Sequence, residues 1–462
     1  MSQRPAFTER RYVVPLVLVT SLFLLWALGV NLNDILIPHL KRAFGLTDFE
    51  SSLIQTAFFG GYFLSALPAG WWMRRVGYRW GIITGLLVCA VGALLFIPAS
   101  YVRLYPFFLL ALFVMACGQG FLEVGANPYV TTLGPAATAS WRLNTAQSAN
   151  SVGAVITPII GAAFILSGAD SASTNVAAMT PAQLASFRAM EAGLVRGPYL
   201  VIAAIFLVVA FLFWRVHLPE VKEEPADEPT APASGSGILS HRHLVRGVIA
   251  QFFYVGAQVG AASFVIRFVE HTVPGTPDKL AARFLMYHLI GFMLGRFFSA
   301  GAMKYVKAPR LLALFAVGGI GAAAVAVGGS GMLAVWMVVL LGFFNSLMFP
   351  TIFALSLEGL GPHRKLGASL LVMSIVGGAV LPAVMGLVSD RTTIQTAFLV
   401  PIVCYAYVFY FAVLGHRPAL GRADHHGVRP GRGPDAGQRG VDRGGPGRRA
   451  ADAAGPGVPP AL

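Results

Sequence analysis

Apolar residues run for about twenty positions at a time along this chain, broken by short basic, polar or Gly-Pro punctuation. Runs of that length are what a helix needs to cross a ~30 Å hydrocarbon layer. Twelve of them predict helices at about 13–41, 49–73, 79–99, 103–132, 143–167, 197–216, 245–271, 281–304, 309–328, 332–358, 366–388 and 394–414. Gly and Pro recur inside the runs, which polytopic membrane helices tolerate because neighbouring helices re-satisfy the freed backbone groups. The predicted fold class is therefore an all-α polytopic membrane protein. Between the sixth and seventh runs, residues 219–243 are rich in Pro, Glu, Ser and Ala and read as a linker. Thr180 before Pro181 predicts a short surface helix in the loop at 168–196. The organisation expected is an N-terminal half at 1–218, the linker, a C-terminal half at 244–416 and a tail at 417–462. With 11 Gly, 7 Pro and 8 Arg, that tail should be disordered.

Composition removes the soluble alternatives. The 462 residues are 56% hydrophobic and 12% charged, where soluble domains carry roughly a quarter charged residues, and mean hydropathy is +0.68. The net charge of +14 suggests nucleic acid only if the cations share a soluble face. They do not. With the N-terminus placed inside, sixteen Lys and Arg fall in cytoplasmic segments and nine on the opposite side, with one inside a helix and eight in the tail. That bias predicts an inner-membrane protein with both termini cytoplasmic and no nucleic-acid partner. The apolar run after Arg10 and Arg11 continues through Ile37 without a small-residue cleavage site, so it should be a retained first span. Cys89, Cys117 and Cys404 lie singly inside apolar runs and read as packing residues.

The chain also repeats itself across the linker. Glu123-x4-Pro128 is echoed by Asn345-x4-Pro350, and each run is followed by Gly-Pro, at Gly134-Pro135 and Gly361-Pro362. Asn150, Gly153 and Pro158 match Ser374, Gly377 and Pro382 at a constant offset. Two pseudo-symmetric six-helix halves are expected, with a binding site at their interface near the midplane.

Only two acids, Asp34 and Glu123, fall deep inside apolar runs. An ionised carboxylate there costs several kcal/mol, on the order of magnitude of translocon scales, unless it is protonated, paired or wet. A proton carrier needs such a group; a structural acid at a helix break would look the same. Asn31 precedes Asp34 by three residues, Asn144, Gln147 and Asn150 recur at intervals of three, and Tyr254 and Gln258 are four apart, so each set shares a helix face. Amides donate and accept at once, as a neutral polyol requires, and a ring covers a sugar's apolar face. Interhelical hydrogen-bond glue is the competing explanation. Arg296 is the one cation expected to be buried, in a structural role against carbonyls or an acid. His39, His271 and His288 read as interfacial. No nucleotide loop, nucleophile elbow or metal-ligand spacing occurs, so neither an enzyme, a cofactor nor a metal is expected.

GWWMRRVGYR (70–79) resembles the signature loop of the major facilitator superfamily, with Arg74 where an acid is usual, and Gly301 to Arg310 resembles its counterpart. NLNDILIPHLKRAFGLT (31–47), FLEVGANPYVTTLGP (121–135), RLNTAQSANSVGA (142–154), AQFFYVGAQ (250–258) and MTPAQLASF (179–187) together resemble the fucose-proton symporters. That resemblance implies the major facilitator fold, a protonatable pair in Asp34 and Glu123, and a sugar cavity lined by Asn31, Gln147 and Asn150, to which the sequence pattern adds Tyr254 and Gln258. It implies import of a monosaccharide with a proton by a monomer in the lipid bilayer, L-fucose being preferred because Gln258 stands where an acid is expected in the glucose, galactose or N-acetylglucosamine branch. Ala262 and Phe264 depart from the Trp and Tyr expected after YVGAQ, which would enlarge the pocket. A drug-proton antiporter, with a more aromatic cavity, and a non-transporting sugar sensor, with the tail as its only output segment, are the rival readings.

Overall fold

The computed structural model describes residues 6–44, 48–161, 179–216, 218–219 and 235–417. Its elements are helical: α1 (Val13–Phe44), α2 (Asp48–Val102), α3 (Tyr105–Thr132), α4 (Ala139–Gly161), α5 (Pro181–Leu194), α6 (Arg196–Arg215), the single turn α7 (Gly235–Ile238), α8 (Arg242–Thr272), α9 (Asp278–Ala302), α10 (Ala308–Gly328), α11 (Gly331–Asn345), α12 (Met348–Ser356), α13 (Arg364–Met373), α14 (Gly377–Arg391) and α15 (Leu399–Tyr410). Among the described residues, ten helical stretches are long and apolar enough to cross a bilayer. One of them, Thr56–Val102, has 47 residues and is two spans. Gly77 divides it with φ 81° and ψ 172°, left of the region side chains favour, so only glycine turns the chain there cheaply. The twelfth span is α4. It misses the apolar threshold because Asn144, Gln147, Ser148, Asn150, Ser151 and Thr157 interrupt it, and all but Asn150 are buried against neighbours.

The tenth predicted run is a broken helix, α11 then α12, and the eleventh is α13 then α14 with a 3-10 turn between them. Proline explains the first break: Pro350 has no N–H for the carbonyl four residues earlier, that of Ser346. The surface helix is α5, capped as expected. Thr180 Oγ1 accepts from Gln183 N–H while Gln183 Oε1 accepts from Thr180 N–H at 3.0 Å. The expected linker differs at its end, since α7 and the first residues of α8 already lie in 235–243; residues 220–234 and 418–462 fall outside the described ones.

Packing repeats between the halves. A Cβ on Gly153 would lie 2.7 Å from the Leu24 carbonyl of α1, and one on its counterpart Gly377 would lie 2.1 Å from the Phe252 carbonyl of α8. Each glycine lets backbones touch at the crossing of the fifth span on the first, or of the eleventh on the seventh. Gly134 and Gly361, which follow the fourth and tenth spans, both take positive φ.

One end of the bundle is closed by contacts between the halves. Gly70 meets Ser369, with Lys365 O 3.0 Å from where its Cβ would be. The Lys365 ammonium lies 4.9 Å from the Tyr78 ring centroid and the Lys304 ammonium 5.7 Å from that of Trp141. Asn144 Nδ2 donates to Thr351 Oγ1 at 3.0 Å. The expectation of a single buried cation is corrected here, because Arg142 is fully buried too. Its guanidinium donates to the carbonyls of Phe7, Val130, Thr131, Gly134 and Pro135 and to Thr138 Oγ1, at 2.6–3.2 Å, knotting the α3–α4 turn to the N-terminal segment. The signal was present: a turn closed by Gly-Pro leaves carbonyls that need a donor.

Candidate functional site

Glu123 sits in mid-α3 with 1% of its surface exposed. Its Oε1 accepts from Asn127 Nδ2 at 3.1 Å, one turn along the helix. Asn127 Oδ1 in turn accepts from Gln147 Nε2 of α4 at 2.8 Å. Gln147 Oε1 accepts from Arg296 Nη1 of α9 at 2.7 Å, and the same Nη1 donates to the Gln147 carbonyl at 2.8 Å. Two amides thus stand between a buried carboxyl in one half and a buried guanidinium in the other. The polarity of this chain is fixed by chemistry, because a guanidinium only donates. Gln147 must turn its oxygen toward Arg296 and its nitrogen toward Asn127, which must present nitrogen to Glu123.

Arg296 holds the C-terminal half as well. Its Nε donates at 2.8 Å to the Ser346 carbonyl, the group that Pro350 leaves without a helix partner, and its Cζ lies 4.9 Å from the Phe292 ring. The Tyr254 hydroxyl lies 3.0 Å from the neighbouring Asn345 carbonyl and 2.5 Å from Gln258 Oε1, so these two acceptors share its single hydrogen. The broken helix α11–α12 therefore offers two consecutive carbonyls, one reached by α9 and one by α8.

A second chain reaches the same region from the other side of α3. Trp26 Nε1 of α1 donates to the Tyr62 hydroxyl of α2 at 2.7 Å, and that hydroxyl donates to Gln119 Oε1 of α3 at 3.1 Å. Among the described residues, Gln119 Nε2 and Glu123 Oε2 have no hydrogen-bond partner.

Of the residues singled out from sequence, Glu123, Gln147 and Arg296 are joined in one chain, and Tyr254, with Gln258 bonded to it, meets the same helix break beside it. The amide stripe of α4 does not act as one. Asn150 Nδ2 donates to the Phe23 carbonyl of α1 at 3.1 Å, and Asn144 ties α4 to α12, so both hold helices together in this structure. Asn31 and Asp34 belong to α1, but their side chains lie outside the described residues, as does that of His39. His288, expected at the interface, is buried at 2% exposure, and its Nδ1 donates to the Val338 carbonyl at 3.0 Å, a structural fixture. Asn127, Gln119, Tyr62 and Trp26 were missed. Asn127 and Gln119 carry a legible signal, since each is four residues from Glu123; Tyr62 and Trp26 are aromatics in apolar runs and carry none.

Comparisons with known proteins agree on one fold. The model of the Major Facilitator Superfamily matches residues 19–373. A Brucella abortus protein named glucose/galactose transporter is 43% identical over 412 residues, covering 89% of this chain and 96% of its own. The L-fucose-proton symporter of Escherichia coli is 39% identical over 414 residues, covering 88% and 94%. A crystal structure of the transporter FucP in the outward conformation superposes with a TM-score of 0.82 at 40% identity, covering 87% of this chain and 99% of that one.

Proposed function

This chain belongs to the Major Facilitator Superfamily, and from that premise we propose that it is a symporter importing a neutral monosaccharide together with a proton. The observation that carries the reading is the buried Glu123 carboxyl, tied by two amides to Arg296 of the opposite half. A carboxyl so placed has a proton to gain or lose, and its connection crosses the interface that must rearrange for transport. Glu123 senses the sugar and Asp34 takes the proton from outside. Asn31, Gln147, Asn150, Tyr254 and Gln258 line the sugar path, with the amides offering donors and acceptors in pairs. The units that move are the halves at 1–218 and 244–416, joined by the linker at 219–243.

The positive-inside bias places both termini in the cytoplasm of a bacterial-type cell. The closed end carrying Lys304, Lys365 and Arg142 is then the cytoplasmic one, and the site faces outward. One charge moving through about 100 mV supplies about 2.3 kcal/mol, enough for roughly fifty-fold accumulation. L-fucose is the first sugar to try, on the strength of Gln258. The 43% identity to a protein named glucose/galactose transporter favours a second reading, an aldohexose without the 6-deoxy group. Labelled L-fucose, D-galactose, D-glucose and N-acetylglucosamine, offered to vesicles with an imposed proton gradient, decide between them. Gradient-driven uptake of none of the four would end the proposal. Asp34→Asn should abolish accumulation against a gradient while sugar exchange continues; a variant that still concentrates sugar refutes the proton role.

A further inference from the structure

Trp26, at the end of the second chain, resembles Arg296 at the end of the first in one respect: its indole N–H only donates. The Tyr62 oxygen accepts that hydrogen at 2.7 Å, so its single proton goes onward to Gln119 Oε1 at 3.1 Å. The Gln119 amide is thereby turned with its oxygen held and its nitrogen free. Gln119 and Glu123 are one helical turn apart on the same face of α3. Both are essentially fully buried, and Gln119 Nε2 and Glu123 Oε2 are without partners among the described residues. A buried amide nitrogen and a buried carboxyl oxygen left unpaired each carry a desolvation cost. A hydroxyl group, which accepts from the amide and exchanges a hydrogen with the carboxyl, satisfies both at once.

We propose that Gln119 Nε2 and Glu123 Oε2 form a socket for one hydroxyl, and that Tyr62 is the positioning residue that orients Gln119 to build it. The hydroxyl belongs either to the transported sugar or to a water molecule, and the chemistry of the socket is the same for both. Tyr62 touches neither; it acts through the amide. The sugar arm rests on the symporter reading above.

Three variants in purified full-length protein test this, with sugar affinity and initial uptake as readouts and the thermal unfolding midpoint as a check on folding. Tyr62→Phe removes the hydroxyl that orients the amide. Gln119→Met keeps the length of the side chain and removes the Nε2 donor without adding a second acid beside Glu123. Each should weaken sugar binding by about fivefold to tenfold, the worth of one buried hydrogen bond, with an unfolding midpoint close to wild type. The double variant should lose no more than either single one, because both changes empty the same socket. Losses that multiply in the double variant, or a Tyr62→Phe protein with unaltered sugar affinity, would overturn the proposal. A series of monodeoxy sugars separates the two sources. If the sugar supplies the hydroxyl, one analogue binds wild type and Tyr62→Phe equally; if water supplies it, every analogue shows the same ratio between them. Wild-type protein that binds no sugar at all refutes the symporter reading itself, whereas normal wild-type binding with an unaffected Tyr62→Phe refutes only the socket.

Discussion

Two side chains that cannot accept a hydrogen bond, Arg296 and Trp26, set the direction of every amide around Glu123. Replacing Arg296 by Lys keeps the charge and removes the planar fork that spans Gln147 and Ser346 together. We expect uptake to fall about tenfold and the unfolding midpoint to fall with it, since one or two buried charged hydrogen bonds of about 1.5–3 kcal/mol are at stake; uptake assays and thermal unfolding on the same preparation measure both. Arg142 is the contrasting case. Arg142→Met removes the guanidinium donors from five carbonyls and from the Thr138 hydroxyl, and should cost about 3 kcal/mol of stability, seen as a lower unfolding midpoint and poor yield. Glu123, Gln147 and Arg296 were legible in the sequence because a polar group inside an apolar run is conspicuous, whereas Asn127 and Gln119 were passed over beside them. Direction was not legible. Nothing in the order of residues says that Gln147 faces Arg296 while Asn150 faces the backbone of α1, because a three-residue spacing turns successive amides about 60° around the helix.

At the scale of elements, glycine and proline carry the information that hydrophobicity cannot. Gly377 meets the Phe252 carbonyl so closely that Gly377→Val must push α14 off α8, at a cost of about 1–3 kcal/mol. Gly301→Ala is the matched control. A Cβ there has nothing within 4 Å, so stability should hold or rise slightly; unfolding midpoints of the two variants give the comparison. Most of the spans could be read from the chain because their apolar runs are long, whereas α4, interrupted by six polar residues, could be placed only from the repeat and its flanks. Their internal breaks followed from Pro350 and Gly77 only once carbonyl partners were known. The second and third spans are continuous apart from one glycine, which a hydropathy reading divides as two helices with a loop.

At the scale of the whole molecule, cation–ring pairs join the halves at the closed end among the described residues. Where the superfamily pattern has an acidic residue, this chain has Arg74, and the halves meet instead through Tyr78 with Lys365 and Trp141 with Lys304. Lys365 and Trp141 occupy matching positions in the two halves, so the ring and the cation have changed places between the two contacts. Cation–ring pairs of this kind are worth about 0.5–1 kcal/mol each when exposed. Lys365→Gln should therefore shift the balance between closed and open forms of this end about twofold to fivefold, read as distance populations between spin labels on the exposed positions Arg74 and Pro362, outside both contacts. The repeat that underlies this arrangement was visible in the sequence, while its exchange of roles was not, because ring and cation are far apart in the chain. The halves also differ at the centre of the bundle, where the N-terminal half buries Glu123 and the C-terminal half buries Arg296. A half made alone would keep its own member of this connected pair, Glu123 or Arg296, with nothing across from it. Truncated products should for that reason be unstable in a cell's membrane, while two separately encoded halves, made together, should rescue one another and restore uptake.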